Sequence, residues 1–143
     1  MNKTLTRNRQ AKYQHRVYKV LTEQNFVIGD KEKRIIQKRI SNGRRYFFMV
    51  GNRREGKKIV ERFIKVPKNN TKKLLMFFQR QIEIAKYIKA RRIINTRGVI
   101  ASNYDTKKGI PFVVMETFPA GHSKIGFIER NKGVELLGTR EAQ

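Results

Sequence analysis

Residues 72–92 constrain the fold of this chain more than any other stretch. Leu74, Phe77, Phe78, Ile82, Ala85 and Ile88 recur at the spacing of one helix face, and Asn70-Thr71 offers an N-cap just ahead of them. A long helix with an apolar arc needs a surface to lie on. The flanking segments supply it. On the N-terminal side, KRIIQKRIS (33–41), RRYFFMVGN (44–52) and KIVERFIKVP (58–67) read as three strands. Asn42-Gly43 is a hairpin-turn signal between the first two, and RREGK (53–57) reads as a second turn. On the C-terminal side, VIASNY (99–104) and IPFVVME (110–116) read as two more strands, joined by DTKKG. The expected fold is α+β: a five-stranded antiparallel sheet with one long helix packed across it.

Ahead of this unit, Tyr13, Val17, Val20 and Leu21 recur at helical spacing, so 11–24 reads as an amphipathic helix ended by Asn25 and Gly29-Asp30. Residues 1–10 read as a flexible basic arm, and 11–121 as the folded lobe. The stretch 122–143 reads as a linker followed by the start of a helix, with Thr139 as N-cap and Glu141 in its first turn. One turn is far below the length at which a helix stands alone. The expectation is a chain cut just as a further helix begins, with the lobe at 11–121 entire.

Charge narrows the partners. The chain carries 34 Lys and Arg against 11 Asp and Glu, a net charge of +23. Such a surface attracts polyanions. There is no cysteine, which excludes disulfides, thiolate metal sites and thiol catalysis. His15 and His122 have no metal-ligand spacing. No apolar run approaches the roughly 20 residues that span a bilayer, and the N-terminus has no signal-like apolar region. The expectation is a soluble, cytoplasmic protein with no membrane partner.

Lys65 is the residue that invites chemistry. It lies in Phe-Ile-Lys-Val-Pro, inside a predicted strand, where period two places Ile59, Glu61, Phe63 and Lys65 on one face. A lysine among apolar residues on a sheet is costly to bury unless its ammonium meets an anion. In isolation the commoner reading is an exposed surface lysine; the functional one is a phosphate-binding lysine held toward a cleft.

The element order, with Phe63-Ile64-Lys65 on the third strand and PFVVMETFPAG (111–121) ending the fifth, resembles the N-terminal lobe of the protein-kinase-like fold. Within it, the chain is most similar to the aminoglycoside phosphotransferase family of small-molecule kinases. That resemblance implies a nucleotide-binding lobe using ATP with Mg²⁺. Lys65 would bind the phosphates and a helix residue would brace it. Met115 would stand as gatekeeper behind the adenine, with the Glu116 carbonyl and the Phe118 N–H on the adenine edge. The Ser41–Arg44 turn, with Gly43, would cover the phosphates. Phe78–Ile88 resembles the kinase helix pattern, whose bracing glutamate falls on Gln81; Glu83, the only acid of the helix, is the other candidate. A helical wheel turns Gln81 toward the sheet and Glu83 away from it.

The chain has no His-x-Asp catalytic loop with a downstream asparagine and no Asp-Phe-Gly-like metal site. The resemblance therefore implies the ATP-side half of an enzyme, without catalytic residues of its own, whose metal ligands belong to a second lobe. Two other readings follow from the charge. One is a small basic nucleic-acid-binding module using Lys72, Lys73, Arg80, Lys86, Lys89, Arg91 and Arg92, with Tyr46 and Phe48 stacking on bases. The other is a regulatory domain docked on an acidic partner protein.

Overall fold

A computed structural model of the chain describes residues 3–90 and 97–117. The elements follow in the order α1 (Lys3–Glu23), α2 (Asp30–Ser41), β1 (Tyr46–Glu55), β2 (Lys58–Pro67), α3 (Lys72–Ala90), β3 (Val99–Asn103) and β4 (Phe112–Glu116). The four strands form one antiparallel sheet in the order β1-β2-β4-β3. The class is α+β, with four strands where the sequence predicts five. Among the described residues no helix is long and apolar enough to cross a membrane.

The missing strand is a helix. Residues 33–41 were expected to pair with 44–52; they form most of α2 instead. Its ends carry ordinary helix signals. The Gly29 N–H donates to Glu32 Oε1 at 2.9 Å, Asp30 and Glu32 occupy the first turn, and Lys38 and Arg39 the last. Ile36 and Ile40, one turn apart, are both buried. A strand would have put Lys38 on that same buried face, whereas a helix turns it to solvent, where it lies. Asn42-Gly43 is thus the C-terminal cap of α2 and not a hairpin turn. Gly43 takes the left-handed conformation (φ 66°), and its N–H donates to the Ile40 carbonyl.

α1 also departs from expectation, beginning at Lys3 and absorbing most of the predicted arm. No glycine or proline interrupts residues 3–23, so nothing in the sequence stops the helix there. It ends in a Schellman motif. Asn25 is left-handed (φ 64°), the Phe26 N–H donates to the Leu21 carbonyl, and the Asn25 N–H to that of Thr22. The apolar contact that accompanies this motif is present, because Leu21 and Phe26 share the core. The chain then runs beside the outer edge of the sheet: Phe26 bridges to Arg53, and the Val27 N–H donates to the Asn52 carbonyl. This covers part of an otherwise open strand edge.

β1 and β2 pair from Tyr46↔Pro67 to Glu55↔Lys58. β1 therefore runs through Arg53-Arg54-Glu55, and the turn is only Gly56-Lys57, with Gly56 left-handed at φ 64°. Beneath it, Glu55 accepts two hydrogen bonds from Arg62 (2.8 Å each) and one from Arg53 (3.1 Å).

The sheet is covered on both faces. Phe47, Met49, Ile64, Val66 and Val114 point to one side, where α1 and α2 bring Tyr13, Val17, Val20, Leu21, Ile36 and Ile40 against them. Burying side chains of this size stabilises by roughly 1.5–3 kcal/mol each. α3 lies on the other face, with Phe78 and Ile82 against Val113, Tyr46, Val99 and Met115. Leu74 is buried as well, but Phe77, placed in the predicted apolar arc, is 40% exposed.

Candidate functional site

Lys65 is on the α3 face of β2, opposite Phe48 on one side and Val113 on the other. Its Nζ donates to Gln81 Oε1 at 2.9 Å and sits 4.3 Å from the centre of the Tyr46 ring. Tyr46 is in turn stacked on Phe78 of α3, with ring centres 5.9 Å apart. The ammonium is thus held between a helix amide and an aromatic face, both of which α3 fixes in place. Among the described residues no carboxylate pairs with it. Burial, and then the nearby Arg97 guanidinium, lower the Lys65 pKa.

Of the two candidates for bracing the lysine, α3 brings Gln81 to it and leaves Glu83 on its outer side. There Glu83 accepts a hydrogen bond from Gln79 at 3.0 Å. Both expectations rested on the position of each residue around the helix, and both hold. An amide can hold an ammonium by its oxygen but cannot neutralise it.

Phe63 lies on the same face, two residues before Lys65. It stacks on Phe48 (6.4 Å between centres) and carries the Arg97 guanidinium over its ring at 4.5 Å. Two cations, Lys65 and Arg97, therefore stand near each other on one sheet face. Burial lowers the Arg97 pKa too. Such a pair is favoured by an anion placed between them. Arg97 carries no periodic signal in the sequence, standing beside Gly98. The sequence offers Tyr46 and Phe48 as base-stacking candidates; in the fold both are engaged with neighbouring rings.

Met115 is opposite Phe63 on β2 and Val99 on β3, and it packs beside Phe78 and Ile82. Glu116 ends β4. Its Oε1 accepts from the Gly98 N–H at 2.7 Å and pairs with Lys89 Nζ at 3.1 Å, while its own N–H donates to the Gly98 carbonyl at 2.9 Å. Lys89, the Gly98 N–H and Arg62 together hold the Glu116 carboxyl below the usual carboxylate range. A Cβ at residue 98 would press on the Glu116 carboxylate, which would have to shift at its tip. This anchoring role of the side chain had no sequence signal. Phe118 and the stretch 122–143, with His122, Thr139 and Glu141, lie outside the described residues, as do Arg91 and Arg92.

Gly43, expected in a turn between two strands, lies instead between α2 and β1. Having capped α2, it lines a depression of about 280 Å³ with Arg45, Lys68, Thr71, Lys73 and Phe77, at the start of α3. Among the described residues no cluster of three or more carboxylate or imidazole side chains is placed to hold a metal ion.

No family model matches the chain, and neither a curated protein nor a solved structure matches it.

Proposed function

We propose that this chain binds ATP on the α3 face of its sheet, as a lobe of the kind found at the N-terminus of aminoglycoside-phosphotransferase-like small-molecule kinases. The observation that carries the reading is the Lys65–Gln81 contact. A strand lysine with no carboxylate partner among the described residues is held by a helix amide, one strand away from the segment that runs into Glu116. Holding an ammonium without neutralising it leaves its charge for a phosphate.

In this reading Lys65 and Arg97 take the phosphates and Gln81 positions Lys65. Phe63 and Met115 flank the base, and the backbone from Glu116 to Phe118 meets its edge. The two cations fit a polyphosphate. Mg²⁺ finds no ligand cluster among the described residues, so no step is assigned to it. The chain also lacks a residue in the sequence pattern that orients the phosphoryl acceptor, so the proposed activity is binding without transfer.

The test is calorimetric titration of the purified chain with ATP, using inorganic tripolyphosphate as a control for simple charge attraction. The expected result is that ATP binds more tightly than tripolyphosphate, and that Lys65→Ala weakens ATP at least tenfold. Equal affinity for the two ligands, or no effect of Lys65→Ala, would sink the reading.

A further inference from the structure

We infer that the groove between α1 and the β2–α3 connection binds the phosphate backbone of a single nucleic-acid strand, in a manner independent of Lys65. The groove has a volume of about 530 Å³ and no carboxylate lines it. One wall is α1, from which Arg9, Lys12, Arg16 and Lys19 face it; the other carries Lys68, Asn69 and Asn70. The four α1 residues are spaced three, four and three apart. They therefore form one stripe along about 15 Å of helix.

The stripe is costly to the isolated chain. Like charges one helical turn apart repel, and α1 holds six Lys and Arg with a single acid, Glu23, at its far end. No acidic residue occupies its first turn, where the helix dipole disfavours cations. Two of the groove's cations are fixed in place. Arg16 donates from Nε to the Pro67 carbonyl (2.8 Å) and from Nη2 to Asn70 Oδ1 (2.7 Å), and Lys68 lies 5.9 Å from the centre of the Tyr13 ring. The walls are thus tied together, while Arg9, Lys12 and Lys19 stay exposed.

A membrane surface fits this face poorly. A helix that binds lipid inserts apolar side chains, but the apolar residues Tyr13, Val17, Val20 and Leu21 of α1 are buried in the core. A concave row of donors that tracks a chain of regularly spaced anions fits a nucleic-acid strand. With Tyr13 buried, the only ring the groove exposes is the His15 imidazole, so recognition is chiefly of the backbone and tolerant of sequence.

The experiment is fluorescence anisotropy of labelled oligouridylate and oligothymidylate with the full chain over a range of salt. The triple variant Arg9→Ala/Lys12→Ala/Lys19→Ala is compared with Lys72→Ala/Lys73→Ala/Lys86→Ala on α3. Alanine favours helix at all three α1 positions, and circular dichroism checks that the fold is kept. The α1 variant is expected to flatten the log K against log salt slope by about 2, at roughly 0.7 per lost phosphate contact on a single strand, and the α3 variant to leave it nearly unchanged. Equal loss from the two triples overturns the proposal. So does wild-type binding to polyglutamate or phosphatidylserine vesicles at least as tight as to the oligonucleotides. Because Lys65 is intact in both variants, ATP binding reports separately on the nucleotide reading.

Discussion

Lys65 Nζ and Gln81 Oε1 meet at 2.9 Å across the space between β2 and α3, and each is fixed by a neighbour that the other does not touch. Lys65 rests on the Tyr46 ring, while Gln81 is carried one residue before the buried Ile82. The contact joins an ammonium to a neutral acceptor. Gln81→Glu would convert it into an ion pair. At neutral pH this variant is expected to gain about 0.3–1 kcal/mol in urea unfolding. The new carboxyl, its pKa depressed by the lysine, supplies that gain above the ordinary carboxylate range and loses it as pH falls through its folded-state pKa. If Lys65 serves a phosphate, the same variant binds ATP more weakly, since a carboxylate competes for the ammonium.

Lys65 itself is held with its pKa lowered, first by burial and then by Arg97. Just below its ordinary value of 10.5 the unfolded chain binds more protons at this site than the folded one, so folding stability rises with pH through that window. Lys65→Met removes a partly desolvated charge and keeps the bulk of the side chain. We expect it to leave stability at neutral pH unchanged or raised by up to about 1 kcal/mol, and to abolish this alkaline rise. Thermal melts between neutral and alkaline pH measure both effects.

Glu55 is the strongest acid-sensitive point described. Hydrogen bonds from Arg62, and then from Arg53, pull its pKa down to about 2 from 4.5. A depressed carboxylate pKa contributes stability that is present above 4.5 and lost as pH falls toward 2. Glu55→Gln should therefore cost on the order of 1 kcal/mol at neutral pH and nothing further in acid, where the wild type has already lost the contribution. Urea midpoints at the two pH values decide it. Equal destabilisation at both would mean that the hairpin does not rely on the ionised pair.

Gln37 distinguishes a helix from a strand at 30–41. It is exposed on α2, so its substitution reports backbone preference and not packing. Gln37→Ala is expected to stabilise by a few tenths of a kcal/mol, and Gln37→Val to destabilise by a similar amount. In a strand the order of the two would reverse.

The Glu116 carboxylate can be displaced from its two partners by one methyl group. Gly98→Ala pushes the Glu116 carboxylate away from the Gly98 N–H and from Lys89. The side chain can yield at its tip, so the loss should be close to 1 kcal/mol and not a collapse of the fold. Amide exchange at Gly98 should quicken relative to that of the β1–β2 hairpin.

The β1–β2 hairpin and α3 were legible because their patterns admit one period only. β2 occupies the predicted 58–67, where Ile64 and Val66 face the core and Phe63 and Lys65 do not. The wheel that turned Gln81 inward and Glu83 outward needed only the rotation per residue. Residues 33–41 were ambiguous for a definite reason: Ile36 and Ile40 are four apart, a separation that fits both the strand and the helix period. The deciding marks were Glu32 reaching back to Gly29 and the placement of Lys38. Glu116 and Arg97 were out of reach for another cause. Their contacts, with Gly98 and Lys89 in one case and with Phe63 in the other, exist only once separate elements have come together.

α3 is pinned to the sheet by polar contacts at two points, Gln81 on Lys65 and Lys89 on Glu116, separated by eight residues or about 12 Å of helix. The last residue of β4 and the amide that meets Lys65 are therefore joined through a single helix, seated between its two polar contacts on Ile82.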